Sequence, residues 1–130
     1  ISHLMLITLS LVALGGAIGA ALRFLSGVVF MRLTGPTEFP MAILTINVLG
    51  SFLMGVFVIV AAQRGLTHYS PFVMTGLLGG FTTFSAFSLE TITLFERGQI
   101  GAAGLYVAVS VGLSLAGLML GLILARGIFV

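Results

Sequence analysis

Residues Gly79 to Ser88 read GGFTTFSAFS, and they lie within a stretch apolar enough to cross a membrane. Two glycines, two threonines, two serines and three phenylalanines side by side make a poor lipid-facing helix. Glycine weakens the helix, and threonine is β-branched with a hydroxyl that competes for backbone groups. With Gly76 one turn upstream, the pattern predicts a break near Gly79 to Thr83, with Phe81 inside it. Hydrocarbon tolerates non-helical backbone only where protein buries it or a cavity runs beside it. A break frees carbonyl oxygens at the end of one half-helix and amide hydrogens at the start of the next, which suit a cation and an anion respectively. A hydroxyl-rich kink satisfied from within is the competing reading.

The composition around this stretch fixes the solvent. Hydrophobic residues make up 59% of the chain, charged residues 6%, and mean hydropathy is +1.31. A soluble globule of this size needs more polar surface than that. The chain reads as an all-α integral membrane protein, one membrane domain over residues 1–130, with spans at about 4–29, 40–62, 71–95 and 100–124. Short turn-rich segments separate the spans: RLTGPTEFP from Arg32, QRGLTHYSP from Gln63 and ERGQ from Glu96. Ile1 is no initiator and Met5 reads as a natural start. The first span is longer than a signal core and lacks a clear cleavage site, so it is expected to be retained.

With 130 residues given over to spans, no catalytic domain fits. The chain has no cysteine, so disulfides, thiolate metal sites and thiol nucleophiles are excluded. His3 and His68 lie at the start and in a loop, and no buried nucleophile has a base near it in sequence, so an enzyme is not expected. Five arginines, scattered along the chain, do not form a nucleic-acid surface.

The same arginines carry topological information. An even number of spans puts Arg64 and Arg126 on one side, and Arg32 and Arg97 on the other with Arg23 leaning toward them. Two against two or three is almost no positive-inside bias. One reading is a weakly biased protein that inserts one way. The sharper reading is insertion in both orientations, which would allow an antiparallel homodimer. Gly15 with Gly19, Gly16 with Ala20, and Gly117 with Gly121 have the spacing that lets helix backbones approach closely in lipid, within the chain or between copies.

Few polar residues remain at membrane depth. Asn47 and Ser51 share a face of the second span, and Asn47 offers two amide donors. Tyr106, Ser110 and Ser114 recur every four residues, a hydroxyl track along one side of the last span. Alternatively each serine bonds the carbonyl four residues back, and Tyr106 anchors at the interface. Phe84 and Phe87 share a helix face beside the break, and aromatic ring edges can contact an anion without a full positive charge. Such donors suit a small anion better than a cation. Glu90 and Arg23 are the full charges inside spans; they either pair with each other or border water.

GGFTTFSAFS, TINVLGS around Asn47, GGAIGAALR ending at Arg23, and ERGQ leading to Tyr106, Ser110 and Ser114 together resemble the Fluc (CrcB) fluoride channels over the whole chain from about Met5. The resemblance implies a dual-topology antiparallel dimer with two fluoride pathways in a bacterial or archaeal inner membrane. It implies that Phe84 and Phe87 face the pore, Asn47 donates on the same route, Tyr106, Ser110 and Ser114 form the track, and Arg23 sits in the vestibule. Backbone carbonyls of Gly79 and Thr82 would hold a central structural sodium ion. Ala86 stands where many relatives carry a third threonine. The main rival is a small multidrug-resistance exporter of lipophilic cations, also four-helical. Relatives of that kind carry a glutamate on the first helix, and this first span has no acid.

Overall fold

The computed structural model describes all 130 residues, and it is all-helical. Helix α1 covers His3–Thr34 and α2 covers Met41–Arg64. A single 3-10 turn, Thr67–Tyr69, leads into a π-helical segment, Pro71–Leu78, continued by the short α3, Gly79–Phe81. Helix α4 (Phe84–Glu96) follows the break, and α5 (Ile100–Phe129) ends the chain. Four helical stretches are long and apolar enough to span a membrane, the third being the interrupted one from Thr67 to Glu96. Four such helices match the expected number, and the first and last run on to Thr34 and Phe129, past the ends that hydropathy suggested. Ser2 Oγ caps α1 by accepting from Met5 N, and Gly35 and Gly65 close α1 and α2 with positive φ.

Packing divides the chain into two close pairs, α2 along α5 and α1 along the π-helical segment and α3. Glycine makes both possible. A Cβ on Gly55 would sit 2.2 Å from Leu118 O, and one on Gly121 would sit 2.3 Å from Phe52 O, so α2 and α5 meet backbone to backbone. A Cβ on Gly19 would lie 2.1 Å from Leu77 O, and Gly15 faces Phe72 O in the same way. The Gly15, Gly19 and Gly121 positions flagged in the sequence therefore serve contacts within one chain. Only 17 residues are buried, and leucines, isoleucines and valines cover the outside, as a lipid-facing surface requires.

The third span departs from expectation in two details. Gly79 and Gly80 remain helical, and the chain leaves the helix at Thr82 (φ −86°, ψ 161°) and Thr83 (φ −152°, ψ 124°). The threonines make the break; the glycine at 80 lets α3 lie against α1, since its Cβ would meet Gly16 O at 2.7 Å. Phe81, expected inside the break, ends α3 and is buried. The wide π-helical turn upstream had no signature in the sequence. It lies where the α1 backbone presses on it at Gly15 and Gly19, a tertiary contact that a local pattern does not encode.

Candidate functional site

Asn47 organises the break. Its Nδ2 donates to Thr83 O at 3.0 Å and its Oδ1 accepts from Thr83 N at 2.9 Å, so one side chain pairs with both backbone groups of an extended residue. Threonine hydroxyls satisfy the neighbouring ends. Thr82 Oγ1 donates to Leu78 O at 2.8 Å, and Thr83 Oγ1 caps α4 by accepting from Ala86 N at 3.2 Å. In a continuous helix Thr83 N–H would bond Gly79 O, and Ala86 N–H would bond Thr82 O. Both donors are engaged elsewhere, so the break releases the two carbonyls that the resemblance assigns to sodium. That fits the donor set of a hard cation, oxygen without charge. Gly50 completes the joint: its missing Cβ leaves room for the Thr82 methyl, which would lie 2.2 Å away.

Beside this joint lies a groove of about 360 Å³ between α2, the break, α4 and α5. Asn47, Ser51, Thr83, Phe84, Phe87, Ser110 and Ser114 are among its walls, so side chains from three helices named by the sequence converge on one space. The ring centroids of Phe84 and Phe87 are 5.5 Å apart, and Phe87 lies 5.3 Å from Tyr106. Tyr106 is fully buried one turn beyond Ser110, outside the groove proper. Arg23 is not part of it. Its Nε donates to Gly80 O at 3.1 Å from the α1 side, and no ion pair joins it to the half-buried Glu90.

The hydroxyls of the track are not spent on the backbone, whereas several others in the chain are. Thr8, Ser10, Ser88, Thr91 and Thr93 each donate to the carbonyl four residues back. Tyr106 Oη and Ser110 Oγ are buried, donate to no carbonyl, and have each other as polar neighbours. Neither is spent on the backbone, so both are free to turn toward an acceptor that enters beside them. The polar side chains on this wall are uncharged and stand among the Phe84 and Phe87 rings and apolar Met54, Val111 and Leu115, a setting that suits a small desolvated anion.

Thr83 and Gly50 were not singled out as site residues by the sequence. Their signal was present: a Thr-Thr pair after glycines, and a glycine three residues after Asn47 on the same helix. Which side chain they would meet on another helix was not.

The family model of CrcB-like proteins, Camphor Resistance (CrcB), matches residues 10–122. A protein of Roseobacter denitrificans named Fluoride-specific ion channel FluC is 71% identical over 123 residues, covering 94% of this chain and 98% of that protein. A protein of the same name from a Ruegeria species is 64% identical over 124 residues, covering 95% and 98%. One from Agrobacterium fabrum is 47% identical over 126 residues. A match across all four spans, the break and the groove places this four-helix membrane chain in the CrcB-like family.

Proposed function

We propose that the protein is a fluoride-selective channel through which cytoplasmic fluoride leaves passively, and that it works as an antiparallel dual-topology homodimer with two pores in the inner membrane of a bacterium or archaeon. The observation that carries this is the groove beside the break, with the Ser110 hydroxyl in its wall, the buried Tyr106 hydroxyl next to it, and neither donating to a carbonyl. The name its relatives carry, Fluoride-specific ion channel, supports the same reading.

Fluoride is small and strongly hydrated, so leaving water is its main barrier. The second Asn47 N–H, the Phe84 and Phe87 ring edges, and the Tyr106, Ser110 and Ser114 hydroxyls replace that water in steps. None carries a full charge, so no step traps the ion. Phe84 is 79% exposed in the single chain, with Val111 and Leu115 exposed beside it. A second copy laid over this wall would close the groove into a bore, and the near-balanced arginines allow that copy to be inverted. A sodium ion at the break would be held by the released carbonyls of Gly79 and Thr82, neutralising their dipoles and fixing the junction between copies. Arg23, on the other face of the break, supports anion attraction at the vestibule.

Expression in a fluoride-sensitive bacterial strain tests the function. Restored growth in fluoride, without resistance to lipophilic cations, is the expected outcome. Resistance to lipophilic cations alone would instead favour an exporter, which the absence of an acid in α1 argues against.

A further inference from the structure

Beyond Tyr106 the hydroxyl column is closed by a residue that lies on no helix. Phe39 stands edge to face with Tyr106, ring centroids 5.5 Å apart and planes at 90°. Phe84, Phe87, Tyr106 and Phe39 thus form one continuous row, with spacings of 5.5, 5.3 and 5.5 Å, reaching from the groove to the α1–α2 linker. Tyr106 is 0% exposed although its hydroxyl donates to no carbonyl, and Phe39 is one of the residues that keep it so.

The linker is held in place by side-chain hydrogen bonds. Thr37 Oγ1 donates to Phe39 O at 2.9 Å, and Pro40 fixes the backbone that follows. Gln99 Nε2, on the residue that starts α5, donates to Glu38 Oε2 at 2.8 Å. This bond joins two connecting segments at one end of the bundle, and it is exposed. A neutral-to-carboxylate hydrogen bond in water is weak, so the linker is restrained without being locked.

We propose that Phe39 is a positioning residue for the ion path, a lid latched by Glu38 and Gln99 that fixes the Tyr106 ring and seals the end of the hydroxyl column against water. The inference rests on the channel function proposed above. With the lid seated, the Tyr106 ring has no free volume to swing into, and the column stays narrow. With Phe39 removed, the ring relaxes into the vacated space, water reaches Tyr106, and anions larger than fluoride pass.

Because the chain lacks cysteine, a single reporter can be placed under the lid. Ala103 is 5% exposed, three residues before Tyr106 and in the same buried cluster. In Ala103→Cys protein in detergent, labelling by a charged, membrane-impermeant thiol reagent reads lid opening, and liposome efflux of fluoride and chloride reads selectivity. A lid open only a small fraction of the time predicts that adding Phe39→Ala raises labelling by roughly tenfold or more. The fluoride-to-chloride flux ratio falls with it. Phe39→Trp restores both values, and Gln99→Ala, which leaves the core intact, raises labelling as well. Unchanged labelling in both the Phe39→Ala and Gln99→Ala proteins overturns the proposal. So does faster labelling with no fall in the flux ratio, which would make Phe39 a packing residue only. If Phe39→Ala does not fold, Gln99→Ala decides by the same two readings. Absence of fluoride-selective flux in the unmodified chain would sink the channel function instead, while the labelling arm would still report on the lid.

Discussion

Replacing Asn47 with alanine removes both hydrogen bonds that hold Thr83, leaving its N–H and C=O without partners inside the membrane. Each unmet backbone group costs about 1–3 kcal/mol, so the broken conformation loses roughly 2–6 kcal/mol. Both bonds are only partly buried, which favours the lower end of that range. Re-forming the helix is the alternative open to the chain, with Thr83 N–H returning to Gly79 O and the carbonyls released by the break taken up again. A shift of about 2 kcal/mol lowers the ratio of broken to continuous helix about 30-fold. Fluoride efflux from liposomes, read by electrode and normalised to reconstituted protein, is therefore expected to fall several-fold, and by at most about 30-fold through this route, in Asn47→Ala. Asn47→Asp separates the two roles of the side chain. It keeps the acceptor for Thr83 N–H but leaves Thr83 C=O facing a carboxylate oxygen and puts a charge on the proposed anion route, so it is expected to lose part of the stability of the break and to conduct poorly. Flux within about twofold of the parent in Asn47→Ala would refute the reasoning, since the clamp would then contribute almost nothing.

Neighbouring glycines of α1 are expected to behave oppositely. Gly19→Ala drives a methyl into Leu77 O and Phe81 N, backbone atoms that cannot swing aside, and costs about 1–3 kcal/mol in thermal or detergent unfolding; Gly16→Ala, whose nearest neighbour is 4.0 Å away, is tolerated. Phe84→Ala should abolish most flux with little loss of single-chain stability, whereas Phe87→Ala, which removes a ring packed on Tyr106 and the Leu44–Leu94 cluster, should lower both, by about 3 kcal/mol in stability. Arg23→Ala strips Gly80 O of its partner and should lower thermal stability by about 1 kcal/mol or more, a loss that Arg23→Lys recovers only in part because the Nε–H geometry is gone. Exchanging sodium for a large organic cation should lower both thermal stability and flux if the Gly79 and Thr82 carbonyls hold the ion; identical melting in the two salts would remove sodium from the account.

What the sequence made legible followed from periodicity and solvent. Span number, a break somewhere between Gly79 and Thr83, and the polar roster of Asn47, Ser110 and Ser114 all come from residue types that hydrocarbon rarely tolerates without cause. What stayed hidden depended on a second helix. That Asn47 points its amide at Thr83, that Gly50 makes room for Thr82, and that Phe39 covers Tyr106 are contacts between residues 30 or more positions apart, set by how α2 and α5 cross at Gly55 and Gly121. The π-helical turn is of the same kind. Arg23 shows the opposite case: its charge was obvious, but its Gly80 carbonyl partner became identifiable only once α1 was seated against α3.

The central claim is that uncharged donors along the groove pass fluoride and exclude larger anions. Efflux from liposomes containing the purified protein, followed with a fluoride electrode and with a chloride electrode in a matched sample, tests it most directly. Fast release of fluoride with chloride retained is the predicted result. Equal release of both anions, or none of fluoride from monodisperse protein, would contradict it.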